Sequence, residues 1–253
     1  MRLARVAACA LACAAASGVS ACNTHPLDAT TSSSATLLAG LLAHYTFDEG
    51  SGTTVVDHSL NRKDGVLVGG TWIAQGRFGG ALHLGGSDYI TVDTFPYPPK
   101  DFSVSMWIRS DDQPMNGFET LLSTEVVFEA GWELNLDKPD GGPPSFQSAF
   151  WSPSEGGYTH VDCLCVPLNA WTHVVSVLNG DDQTLSLYVN AVLVGSTVAR
   201  ESIVPGEPSL LIGRWSGDLR YLVGDIDDIA IYSRHLDPAE VAALYTQPPP
   251  DPL

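Results

Sequence analysis

Almost every apolar stretch of this chain alternates with a period of two, and Gly, Pro, Asn and Asp fill the gaps between stretches. A strand turns successive side chains to opposite faces, so this pattern buries one face of a sheet, whereas a helix needs a period of about 3.6. The segment Phe102-Ser103-Val104-Ser105-Met106-Trp107-Ile108-Arg109 sets Phe102, Val104, Met106 and Ile108 on one face. The same reading predicts strands at Leu41–Phe47, Ala81–Leu84, Tyr89–Val92, Trp132–Leu136, Trp171–Leu178, Leu185–Val189, Val192–Val198, Leu210–Gly213 and Ile226–Tyr232. With no helical pattern between them, these short strands imply an all-β, antiparallel two-sheet sandwich rather than a parallel sheet. Residues 37–247 have a length that one such sandwich fills as a single domain.

One short helix is signalled at the C-terminus. Asp237 is placed to cap it, Pro238 takes the first helical position, Glu240 completes a capping box, and Leu236 can staple onto Val241. The helix is expected to run through Tyr245 and stop before Pro248. Residues 248–253 carry four prolines and read as an extended tail.

At the other end, Arg2 and Arg5 precede an apolar run from Val6 to Ala16, which has the make-up of a signal-peptide core. The run is too short to span a bilayer, which takes about 20 apolar residues. The following Val19-Ser20-Ala21-Cys22 resembles a lipobox. That resemblance implies removal of residues 1–21 and attachment of diacylglycerol to the Cys22 sulfur, a membrane partner through lipid. Val-Ser-Ala also reads as an ordinary cleavage site after Ala21. Residues 22–36, with Thr30-Thr31-Ser32-Ser33-Ser34, read as a flexible tether. Asn23 is not the aspartate that retains some lipoproteins in the inner membrane, so an exported protein of the outer membrane or cell surface is expected.

Acidic residues number 29 against 12 Lys and Arg, a formal charge of −17, and loss of Arg2 and Arg5 would make it −19. Such a chain repels polyphosphates, so nucleic acid is not an expected partner. The acidity suits an exported domain or one that holds calcium. Of five cysteines, Cys9 and Cys13 would leave with the signal peptide and Cys22 would carry lipid, which leaves Cys163 and Cys165. In an extended strand their Cα atoms lie near the ~6.8 Å upper limit for a disulfide. A bend would close the bridge in an oxidising compartment; otherwise both are buried thiols.

Several segments in order resemble the laminin-G-like/concanavalin A-like jelly rolls. They begin with Tyr45-Thr46-Phe47-Asp48-Glu49-Gly50-Ser51-Gly52, then Asp57-His58-Ser59-Leu60-Asn61 and Gly79-Gly80-Ala81-Leu82-His83-Leu84. The Phe102–Ile108 strand and the hairpin from Trp171 to Asn190 follow, and the series closes with Gly224-Asp225-Ile226-Asp227-Asp228-Ile229-Ala230-Ile231-Tyr232 and the terminal helix. The family commonly has Asn-Gly where this chain has Asn190-Ala191, so the hairpin either takes another turn type or carries strain. The resemblance implies a concanavalin A-like sandwich and a non-catalytic module that binds carbohydrate or an extracellular protein. A structural or adhesive role without a small ligand is the alternative.

The resemblance also implies that Asp227 and Asp57 meet at one edge of the sandwich and hold calcium with loop carbonyls, with Asp228 on the opposite face. Calcium takes 6–8 oxygen ligands; without it, Asp57 caps a turn and Asp227 is a satisfied carboxylate. Glucanases of this fold carry paired carboxylates on one strand. The nearest approach here, Glu133-Leu134-Asn135-Leu136-Asp137, puts two carboxylates about 13 Å apart along the strand. Glycoside cleavage needs about 5–9.5 Å, which argues against an enzyme. For ligand recognition, Trp151, Tyr158, Trp215 and Tyr221 fall in or near Gly/Ser/Pro-rich loops, where aromatic faces can stack on sugar rings. Trp72, Trp107, Trp132 and Trp171 fall in strand patterns and read as packing residues.

Overall fold

The computed structural model describes residues 36–96, 100–110, 117–124, 130–138, 143–152, 156–198, 209–217 and 219–251. The signal-peptide segment, Cys22 and the tether up to residue 35 lie outside the described residues. No helix among the described residues is long and apolar enough to cross a membrane.

The first eight strands are β1 (Leu41–Tyr45), β2 (Thr54–Val55), β3 (Gly65–Val68), β4 (Thr71–Ile73), β5 (Ala81–Gly85), β6 (Tyr89–Val92), β7 (Phe102–Ser110) and β8 (Gly117–Ser123). They are followed by β9 (Trp132–Lys138), β10 (Ser145–Ser152), β11 (Gly157–Cys163), β12 (Thr172–Asn179), β13 (Thr184–Val189), β14 (Val192–Val198), β15 (Leu210–Ile212) and β16 (Val223–Tyr232). Helix α1 (Pro238–Thr246) closes the domain. One sheet runs β14-β13-β12-β7-β16-β5-β4, with β1 also paired to β16. The other runs β11-β10-β9-β8-β15-β6-β3-β2. Every pairing is antiparallel, as alternation without crossover helices requires.

The core between the sheets is built by the alternating residues. Val104, Met106 and Ile108 from β7 meet Trp132, Leu134 and Leu136 from β9 and Phe146 and Phe150 from β10 in one buried cluster. Phe102 and Trp132 cross it edge to face at 5.0 Å. Ser148 faces the same interior, where its hydroxyl accepts from Trp132 Nε1 (3.0 Å) and bonds Ser176 Oγ of the facing sheet (2.7 Å). That exchange satisfies three buried polar groups that would otherwise be costly to bury.

The outer side of the β7–β12–β16 sheet is a second apolar layer. Leu41, Val175, Val177, Tyr188, Ala230 and Tyr232 are buried there with Val241 and Leu244 of α1. The helix is held by the expected cap: Asp237 accepts from the N–H groups of Ala239 and Glu240, and Glu240 accepts from Asp237 N–H. Arg234 grips Glu240 through both Nη atoms and bonds the carbonyls of Thr36 and Ala39, tying the start of the domain to its end. The hairpin question is answered by φ values of 50° at Asn190 and 64° at Ala191, so the two-residue turn is kept and the alanine bears the strain.

Candidate functional site

The outer side of the other sheet is polar. Because Trp132, Leu134 and Leu136 face the core, Glu133, Asn135 and Asp137 face outward on β9. β10 contributes Gln147, Ala149 and Trp151, and β11 contributes Tyr158, His160 and Asp162. The register sets Trp151 opposite Tyr158, Ala149 between Glu133 and His160, and Gln147 between Asn135 and Asp162. Trp151 and Tyr158 meet edge to face at 5.1 Å, and both are half-buried. Gln147 Nε2 donates to Asp162 Oδ1 (3.0 Å), and His160 Nε2 lies 3.5 Å from Asp162 Oδ2. An aromatic pair thus stands on one side of the small Ala149 and a hydrogen-bonding pair on the other.

The floor beside them is buried and tightly held. Glu133 lies 3.5 Å from Arg220 Nη1, and that guanidinium stacks over Trp215 at 4.4 Å and Phe118 at 5.1 Å. Thr120 Oγ1 donates to Asn135 Oδ1 (2.9 Å), and the buried Asn135 Nδ2 has no partner among the described residues. Burial, and after it the nearby charge of Asp162, raises the Asp137 carboxyl above its ordinary range.

The four expected aromatic residues divide. Trp151 and Tyr158 belong to strands β10 and β11 rather than loops, and they sit together on the polar face. Trp215 does lie in a loop but is only 6% exposed under Arg220, which makes it packing. Tyr221 leans on Tyr89 at 6.2 Å, with Arg214 over the Tyr89 ring. Sequence reasoning passed over Gln147 because Ser148 interrupts the apolar alternation of β10. The spacing of Phe146 and Phe150 was the available signal.

The two expected calcium ligands occupy different settings. Asp57 Oδ1 accepts from the N–H groups of His44 and Ser59, and Oδ2 accepts from the Ser59 hydroxyl and Lys63 N–H. Four donors fill the carboxylate, so Asp57 holds the turn and does not fit a metal shell. Asp227 Oδ2 accepts from the N–H groups of Arg77 (2.6 Å) and Phe78 (2.8 Å), while its buried Oδ1 has no partner among the described residues. Burial, then the charges of Asp228 and Asp48, pushes Asp227 up to about 7 against the lowering effect of those two N–H bonds. The orphaned oxygen and the nearby Asp48 fit a hard cation; Asp57 does not. Strict alternation also fails at Asp228, where φ is 47° in a bulge of β16 and the carboxylate bonds His44 Nε2 at 2.6 Å. Among the described residues there is no cluster of three or more His, Cys, Asp or Glu able to hold a metal. The Cα atoms of Cys163 and Cys165 are 5.2 Å apart, inside the range a disulfide spans.

A family model described as the concanavalin A-like lectin/glucanases superfamily matches residues 84–242. A comparison with curated proteins finds no match. Among solved structures, the botulinum neurotoxin serotype D binding domain is similar at a TM-score of 0.64 and 16% identity, over 83% of this chain and 52% of that one. The binding domain of Paraclostridial Mosquitocidal Protein 1 matches at 0.65 and 18%, over 83% and 52%. Domain 4 of AbnA, an extracellular arabinanase from Geobacillus stearothermophilus solved with arabinotriose, matches at 0.63 and 21%, over 82% and 99%. The chain therefore spans about half of the toxin binding domains and nearly all of the arabinanase domain.

Proposed function

This chain belongs to the concanavalin A-like lectin/glucanases superfamily, and from that premise we propose that it is a non-catalytic recognition module whose ligand is a carbohydrate. The observation that carries this reading is the outer face of β9, β10 and β11, where Trp151 and Tyr158 flank a row of hydrogen-bonding groups. An aromatic face gathers the C–H side of a sugar ring while Gln147, His160 and Asp162 supply donors and acceptors for its hydroxyls. Similar structures solved with arabinotriose or N-acetylneuraminic acid make a saccharide the first ligand class to test.

A glycan array followed by titration calorimetry tests the reading. Trp151→Ala should weaken the selected glycan by about 30-fold, corresponding to ~2 kcal/mol for an aromatic anchor. No selective glycan on the array, or a Trp151→Ala affinity equal to wild type, would favour the structural or adhesive role. Cleavage is disfavoured because Glu133 is paired with Arg220 and lies four residues from Asp137 along one strand face, about 13 Å. Hydrolysis of β-glucans by the protein would overturn that.

The reading includes export and lipid attachment at Cys22, a disulfide between Cys163 and Cys165, and a structural calcium held by Asp227 with Asp48. Bound calcium would supply counter-charge to the unpartnered Asp227 oxygen and fix the loop that presents the Arg77 and Phe78 amides. An intact-mass measurement checks the first two, through acylation of the mature N-terminus and a two-dalton gain on reduction. A calcium-dependent rise in Tm that disappears in Asp227→Asn checks the third.

A further inference from the structure

The end of the β5–β16–β7–β12 face left bare by α1 carries a different chemistry. His83, Asp225 and Arg109 stand in register on β5, β16 and β7, and Trp171 continues the row just before β12. Asp225 is largely buried and holds both side chains: His83 Nδ1 lies 2.8 Å from Oδ1, and Arg109 Nε and Nη2 donate to Oδ2 at 2.7 and 2.6 Å. Arg109 lies over the Trp171 ring at 5.1 Å. Yet its side chain is 37% exposed, and that of His83 is 43% exposed. The neighbouring row, about 7 Å along the strands, holds Asp227, Trp107 and His173. Over Trp107 lies the exposed Arg77, its guanidinium 4.3 Å from that ring and 4.9 Å from Phe78.

Two guanidinium groups, each laid on a tryptophan, therefore share this face. Arg109 commits two of its five donors to Asp225, which leaves three. Arg77 makes no side-chain hydrogen bond or ion pair among the described residues. Asp225 is engaged by His83 and Arg109, and Asp227 is turned to the Arg77 and Phe78 backbone amides through Oδ2, so neither carboxylate bonds the Arg77 side chain. What the face offers is a surplus of planar N–H donors held in fixed orientation by aromatic stacking, the arrangement that recognises a carboxylate by paired hydrogen bonds. The half-buried Trp171 indole beside them offers apolar area for a sugar ring.

We propose that this face is a second binding site, separate from the β9–β11 face, for the carboxylate of an acidic saccharide such as a uronic-acid oligomer. The formal charge of −17 opposes anions at long range, but salt screens that field beyond about 8 Å and leaves the local arginines to decide the contact. The site does not depend on the ligand of the other face.

The test is titration of the full chain with trigalacturonic acid, its methyl ester and a sulfated trisaccharide. The free acid should bind, Arg77→Gln should weaken it tenfold or more, and the ester should lose binding by a similar factor. Arg77 is exposed and rests only on rings, so its replacement leaves the fold intact; Arg109→Lys gives a second, charge-keeping variant that should also weaken the acid. Trp151→Ala should leave it unchanged. Equal binding of acid and ester, wild-type affinity in Arg77→Gln, tighter binding of the sulfated sugar, or loss of the acid in Trp151→Ala would each overturn the assignment.

Discussion

The two sheets of this sandwich share one interior but treat their outer faces in opposite ways. On the β7–β12–β16 sheet the outward residues Val175, Val177, Ala230 and Tyr232 are apolar and lie under α1, so a second buried layer forms there. On the β9–β10–β11 sheet the outward residues are Glu133, Asn135, Gln147, His160 and Asp162, and no helix among the described residues crosses them. The difference teaches that alternation alone fixes which residues point inward, while the chemistry of the outward set decides whether a face packs an apolar layer or holds a network of polar groups. Stability should therefore concentrate under α1, and recognition should fall to the outer regions that α1 leaves uncovered.

The sharpest way to break this contrast is Leu244→Ala in α1. Leu244 is buried against the outer layer, so its truncation should cost ~2–5 kcal/mol like any core deletion. Calorimetry should show Tm falling by roughly 5–15 °C. Gln147→Ala on the opposite outer face should stay within about 1 kcal/mol. If both changes cost the same, the helix does not make a second core.

A smaller effect comes from pH. His173 packs against Trp107 and against Tyr245 of α1, and burial, with the Arg77 charge second, pushes it down to about 3 from its ordinary 6.5. The folded protein thus keeps this imidazole neutral where the unfolded chain binds a proton. Its contribution is full above about 6.5 and is lost as pH falls toward 3, by up to ~1.4 kcal/mol per unit. Urea unfolding at pH 7, 6 and 5 should show that slope, and His173→Gln should flatten it. An unchanged slope would mean that His173 takes up its proton without unfolding.

How far the chain could be read in advance follows the same division. The strands of the helix-covered sheet were legible because β7, β12, β13 and β16 carry long apolar alternations. The cap of α1 was legible because Asp237, Pro238 and Glu240 each have one strong positional meaning. β10 was obscured because an inward position is taken by Ser148, whose burial depends on Trp132 and Ser176, partners distant in sequence. Trp151 and Tyr158 could be singled out as aromatic candidates but not as a cross-strand pair, since register is not written in either segment alone. Arg77 was invisible for a related reason: its stack on Trp107 joins residues 30 positions apart.

The smallest expected change tests a local cost within the helix-covered sheet. The β13–β14 turn needs φ > 0 at both central residues, and Ala191 meets that demand at 64° although an alanine there is strained by ~1–2 kcal/mol. Asn190 holds the turn in place: its N–H donates to the His173 carbonyl (2.8 Å) and its side-chain oxygen accepts from His173 N–H (3.0 Å). Ala191→Gly removes the strain but adds freedom to the unfolded chain, worth ~0.5–1 kcal/mol in the other direction. The net should be a gain of about 0.5–1 kcal/mol, seen as a Tm rise of ~1–3 °C. Because the turn lies far in sequence from Trp151 and on the other sheet, glycan affinity should not move with it. A Tm that stays level or falls would mean the turn relaxes in solution to a conformation that alanine accepts.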